Sequence, residues 1–168
     1  MSRYTLQQGV NNLYQKAIVE GGTTSTGRLR DLAVFCAQEL AARGLPSAEI
    51  DPEIPGYARA KDWDVVWSHN AKARLAISLK SLLKNLGGAV PNRIDDLIGE
   101  AANLQMYSPE IAIGYLMVFN IEEDQISKKH GSTWGELLRR RLESLSGRRA
   151  PHWTIGTVEA MAFVEVNF

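Results

Sequence analysis

Apolar residues recur along the chain at two spacings, and their alternation lays out an α/β order. Leu6, Val10, Leu13, Tyr14, Ala17 and Ile18 repeat at helical spacing and predict a helix over 4–19. Glu20-Gly21-Gly22 stops it, and Thr23 to Ser25 offers N-cap candidates for the next. That second helix is predicted from about Thr26 to Arg43, with Gly44 as its C-cap. Its middle, LAVFCAQELAA, is apolar on nearly every side, which predicts deep burial. Leu45 to Lys61 carries Pro46, Pro52, Pro55 and Gly56 and reads as loop, with a short strand around Ile54 to Ala60.

The stretch from Trp63 to Lys80, WDVVWSHNAKARLAISLK, predicts a β-hairpin. Asp64 opens an apolar strand of Val65, Val66 and Trp67. Ser68 to Lys72 forms a polar turn, and a second strand runs from about Arg74 to Lys80. Side chains alternate faces, so Leu75, Ile77 and Leu79 share a core face while Ala76, Ser78 and Lys80 share the other. Two small residues lead to that lysine, leaving space for a site beside the amine. Residues 81–91, with Gly87, Gly88 and Pro91, read as a loop or a broken helix turn, either a plain connector or one in which Ser81, Lys84 and the glycine amides meet backbone phosphates.

Asn92 to Gln105 is predicted as an amphipathic helix, with Asn92 as N-cap and Ile94, Leu97, Ile98, Ala101 and Leu104 as its apolar stripe. Arg93, Asp96, Glu100 and Asn103 line the opposite side. They form either a solvated face or, if the helix packs beside Lys80, a source of carboxylates. Pro109 to Ile121 is apolar with little alternation, as a central strand covered on both faces would be. Thr133 and Glu136 make a capping box for a helix reaching about Leu145, with Trp134, Leu137, Leu138, Leu142 and Leu145 inward. Gly156 to Phe168 closes as a strand.

Composition narrows the picture. A chain of 168 residues with 45% hydrophobic and 23% charged residues suits one globular domain over 1–168 with a full core. MSRYTLQQGV lacks an apolar signal core and nothing approaches a membrane-spanning length, so a cytoplasmic protein with no membrane partner is expected. Cys36 stands alone and reads as core, in keeping with a reducing compartment. The 19 basic residues balance the 19 acidic ones, which argues against indiscriminate nucleic-acid binding. Basic residues are nevertheless clustered. Arg139, Arg140 and Arg141 stand in a row and suit phosphates, guanine edges or a dimer contact, or else a solvated helix end. His69 sits in a turn with no partner histidines at HNH spacing.

An acid opening one strand and a lysine ending the next suit phosphodiester hydrolysis. The carboxylate can hold Mg²⁺, and the lysine can orient or deprotonate a water or stabilise the pentavalent phosphorus. Both can equally be solvated strand ends. Asp64, the hairpin and Ser78-Leu79-Lys80 resemble the core of the PD-(D/E)xK nucleases, the fold of most type II restriction endonucleases. The resemblance covers roughly Thr24 to Asn120. Trp63 stands where that motif has Pro. Ser78 replaces the acid two before the lysine, as in a restriction-endonuclease subgroup with SxK, where a carboxylate from the following helix supplies the lost ligand.

The resemblance implies a restriction-endonuclease-like fold with a central mixed β-sheet flanked by helices, and a Mg²⁺-dependent endonuclease acting on double-stranded DNA. It implies Asp64 and the Leu79 carbonyl as metal ligands, and Glu100 or Asp96, with Asp95 third, as the replacement acid. Asp31 would be the first-helix acid, with Glu39 second, or else a mere complement to the helix dipole. Lys80 would position the water, with Ser78 as spacer or hydrogen-bond donor. Lys84 and Arg139 to Arg141 would contact DNA, and cutting both strands implies a homodimer. The alternative is a catalytically inactive module of the same fold that binds DNA or protein.

Overall fold

The computed structural model describes residues 3–21 and 26–168. Helix α1 spans Leu6–Tyr14 and continues as a wider π-helical turn, Gln15–Val19. Thr5 caps it, accepting from the Gln8 N–H at 3.2 Å while the Gln8 side chain accepts from the Thr5 N–H at 2.8 Å. Val10, Leu13 and Ala17 make its buried stripe. The expected caps at Thr23 to Ser25 lie outside the described residues. A 3₁₀ turn, Thr26–Leu29, leads into α2, Arg30–Ala42. Burial of α2 is one-sided, against the expectation. Leu32, Ala33 and Cys36 are buried, whereas Phe35, Ala37 and Leu40 are only partly covered. This helix packs against α1 on one side and the edge of the sheet on the other.

The proline-rich segment forms three two-residue strands: β1 Glu49–Ile50, β2 Glu53–Ile54 and β3 Lys61–Asp62. The strand expected over 54–60 does not form, because Pro55 removes a ladder donor and the chain bends at Tyr57 and Ala58. The hairpin follows as β4 Val65–His69 and β5 Lys72–Leu82. Its turn is tighter than the polar run suggested. Asn70 and Ala71 alone make it, at φ 51° and 57°, the pair of positive angles that matches strand twist in two-residue loops. The second strand therefore begins at Lys72, and a bulge between Trp67 and Ser68 adjusts the register.

Helix α3 runs Leu86–Tyr107, six residues longer at its start than the sequence suggested, and takes Pro91 inside it. An interior proline costs about 3 kcal/mol. Extending the helix buries Leu86 and Val90 on the side of Leu97, Ala101 and Leu104, and burying each such side chain contributes about 1.5–3 kcal/mol. The burial outweighs the proline. Strand β6 is Ala112–Asn120 and is covered on both faces as expected. A small ribbon, β7 Ile126–Ser127 with β8 Ser132–Thr133, precedes α4, Trp134–Ser144. Thr133 and Glu136 form the predicted capping box, and β9, Ala160–Val166, closes the chain.

Among the described residues, five strands make one mixed sheet in the order β1-β4-β5-β6-β9. The β1–β4–β5 part is antiparallel, and β6 and β9 run parallel to β5. Both faces are covered. Leu79, Leu116, Val118 and Val166 pack on α1 and α2, and Ala76, Ile113, Tyr115 and Met117 on α3 and α4. No helix among the described residues is long and apolar enough to cross a membrane.

Candidate active site at the end of the hairpin

The site forms where β4 begins and β5 runs on past it. Val65 pairs with Ile77, so Leu79 lies beyond the β4 ladder. The Leu79 N–H donates to Asp64 Oδ2 at 2.7 Å instead of to a neighbouring strand. In this ladder the N–H and C=O of one residue point to the same side, so the Leu79 carbonyl shares that edge. Trp63 would have met it by continuing the ladder, but donates its N–H to the Pro52 carbonyl at 3.1 Å. The Asp64 carbonyl accepts from the Asp51 N–H at 3.2 Å, which holds the bend.

Ser78 and Lys80 point the other way from Leu79, toward α3. Glu100, near the middle of α3, meets both. Its Oε1 lies 3.1 Å from Lys80 Nζ, and its Oε2 accepts from the Ser78 hydroxyl at 3.0 Å. Lys61 of β3 pairs with the same Oε1. On the face of α3 that carries Arg93, Asp96, Glu100 and Asn103, the part holding Glu100 and Asn103 is therefore turned inward. Asn103 accepts from the Ala58 N–H at 2.8 Å and donates to the Arg59 carbonyl at 3.0 Å, tying down the loop before β3.

The two carboxylates differ in electrostatics. Burial pushes the Asp64 carboxyl above its ordinary value, resisted by the Leu79 N–H and the Lys80 charge and reinforced by Asp51 and Glu100. Burial also acts on Glu100, but the Lys80 charge and the Lys61 contacts outweigh it and hold that carboxyl below the usual range. Asp64, Leu79 and Lys80 line an open cleft of about 610 Å³, with Arg28, Arg93 and Asp51 among the other walls.

The remaining expected residues fall elsewhere. Asp31 pairs with Lys16 of α1 at 2.9 Å, and Glu39 pairs with Arg3 and Arg43. Asp96 pairs with Arg93 at 3.0 Å. Lys84 lines a shallow groove with Arg28 and Ser81 to Asn85. Arg139 pairs with Glu165 and lies over the Phe163 ring at 4.8 Å. Arg140 bonds Ser132 Oγ at 3.0 Å and, with Arg141 and His130, lines a separate hollow. Cys36 is core, and burial pushes its thiol up to about 11. The sequence reading missed Lys61 and Arg28, which lie in segments without periodic signal.

The donor set suits a hard cation. Asp64, Glu100 and the Leu79 carbonyl are all oxygen donors, and Mg²⁺ commonly takes one or two carboxylates and completes its shell with water and phosphate. A cation beside Asp64 would also relieve a carboxylate that burial disfavours. Among the described residues no group of three or more His, Cys, Asp or Glu gathers that could hold a metal ion unaided. No protein-family model matches the chain, and a search of curated proteins finds no match.

Proposed function

We propose that the chain is a Mg²⁺-dependent endonuclease of the PD-(D/E)xK kind, with SxK in place of the usual acidic motif. Its substrate would be duplex DNA, cut at a specific short sequence as by a type II restriction endonuclease. One observation carries this reading: Glu100 of α3 meets Ser78 and Lys80 of β5 at the end of the strand where Asp64 binds Leu79. The acid missing at position 78 is thus matched by a carboxylate held by the residue that replaced it.

Asp64, Glu100 and the Leu79 carbonyl would hold the ion. Bound there, Mg²⁺ would polarise the phosphate and acidify a coordinated water. Lys80, whose side chain is mostly buried, would orient a water beside the ion and donate to the oxyanion that develops on phosphorus. Glu100 aims the Lys80 ammonium, and the Ser78 hydroxyl fixes the Glu100 carboxylate. Of the three arginines that would contact DNA, Arg139 is engaged by Glu165 and Phe163, and Arg140 bonds the Ser132 hydroxyl.

The contacts of Glu100 also favour a second reading. Lys61, Lys80 and Ser78 all converge on it, as in a structural ion cluster inside an inactive module that binds DNA or protein. Plasmid cleavage with Mg²⁺ and with EDTA separates the two. We expect discrete metal-dependent bands, abolished by Asp64→Ala and by Lys80→Ala while DNA binding persists. Ser78→Glu should also abolish cleavage, because it forces a second buried carboxylate against Glu100. Binding without cleavage for any divalent ion would favour the inactive module.

A further inference from the structure

Two arginines absent from the nuclease reading share the cleft with its proposed catalytic pair. Arg28 comes from the 3₁₀ turn before α2, and Arg93 from the second turn of α3. Both line the cleft that contains Asp64, Leu79 and Lys80. Arg28 Nε donates to the Ser81 hydroxyl at 3.2 Å, one residue beyond Lys80, which fixes its stem against β5. Arg93 is held from its own helix by Asp96 at 3.0 Å.

The two guanidinium groups feel one another. Burial lowers the Arg28 pKa from its ordinary value, and the Arg93 charge lowers it further. Asp96 holds Arg93 from its own helix, and Asp51, Asp62 and Asp64 line the same cleft as the two arginines. Planar guanidinium forks match the oxygens of a phosphate, so an oxyanion entering the cleft would meet both.

We propose that Arg28 and Arg93 form a phosphate-binding pair on the wall of the cleft, gripping a phosphodiester group next to Asp64 and Lys80. The assignment rests on the nuclease reading only for the source of that phosphate, a DNA backbone. The pair itself requires only an accessible phosphate oxyanion. Arg30 also lines the cleft but is exposed and paired with Asp51 at 3.0 Å, so it is a weaker competitor. Lys84, in the adjoining groove that Arg28 also lines, would extend the same basic track to a neighbouring phosphate.

The test uses the full chain with inorganic phosphate as probe, in EDTA, against sodium chloride of equal ionic strength. Melting temperature is followed as phosphate rises, for wild type, Arg28→Gln, Arg93→Gln and Arg93→Lys. Phosphate stabilises proteins generally by exclusion from their surfaces, so the difference between wild type and variants is what counts. We expect a saturable rise for wild type, and an apparent affinity weakened roughly tenfold or more in either Gln variant. Arg93→Lys should fall between, since it keeps the charge and loses the fork. Circular dichroism verifies that each variant folds, and the Lys variant serves if a Gln variant does not. No saturable component in wild type, or an equal one in all four proteins, overturns the pair. Plasmid cleavage is scored separately. Phosphate binding without cleavage leaves the pair standing and removes the nuclease reading. Cleavage by wild type with no saturable phosphate component does the reverse.

Discussion

At the scale of single residues, Asp64 and Glu100 are carboxylates whose protonation is pushed in opposite directions. That difference makes a pH-dependent prediction for stability. The folded Asp64 pKa is raised, so between the ordinary value of 3.8 and the folded value the native state binds more protons than the unfolded one. Stability from this group therefore falls as pH rises through that window. Asp64→Asn, which can still accept from the Leu79 N–H, should be more stable than wild type at pH 7 and lose the advantage below the window. Glu100 behaves the other way. Its folded pKa is lowered, so its contribution is present above 4.5 and is lost as pH falls through the folded value. Glu100→Gln should be less stable at pH 7 by about 1–3 kcal/mol, since it leaves Lys61 and Lys80 facing each other without their anion. Urea unfolding at pH 3, 5 and 7 would show the two differences with opposite sign. If both substitutions destabilise equally at pH 7, the burial of Asp64 is not the dominant influence on its carboxyl.

At the scale of elements, α3 is where local preference and packing disagree most. Its first two turns hold Gly87, Gly88 and Pro91, each a poor helix former. A Cβ at Gly88 would meet nothing within 4 Å, and its φ is not in the left-handed region. Gly88→Ala should therefore stabilise by about 0.5–1 kcal/mol, read as a higher urea midpoint at unchanged slope. A destabilising effect would mean that this turn is not helical in solution. The same residues explain how much of the fold was legible. Amphipathic spacing located the body of α3, and the capping box located the start of α4, because both signals are local. The first turns of α3 were not legible, since only the depth of the pocket that receives Leu86 and Val90 offsets Pro91. Asp64, Ser78 and Lys80 could be read from strand alternation. Glu100 could be narrowed to a helix face but not separated from Asp96, because the choice depends on how α3 lies against β5. Asp31 was equally open, and the rotation of α2 turned it to Lys16. Arg28 and Lys61 sit in a short 3₁₀ turn and a two-residue strand, where no periodicity exists to place a side chain.

At the scale of the whole molecule, the balance of 19 basic and 19 acidic residues is repeated in the cleft. Arg28, Arg30, Lys80 and Arg93 line it together with Asp51, Asp62 and Asp64. A chain so arranged presents one candidate catalytic cleft. Duplex DNA presents two strands of opposite direction, and a single site meets only one of them per encounter. If the proposed nuclease cuts both strands, two copies related by a twofold axis are the economical solution, since each copy then faces one strand with the same residues. This predicts the course of cleavage on supercoiled plasmid. With enzyme in excess, linear product should form without a long-lived nicked circle. The initial rate should climb more steeply than the first power of enzyme concentration while the dimer is still assembling. A mixture of wild type with Lys80→Ala chains should then accumulate nicked circles, because mixed dimers cut one strand only. Nicked circles accumulating with wild type alone, at a rate strictly proportional to enzyme, would leave the phosphodiester chemistry intact and remove the dimer.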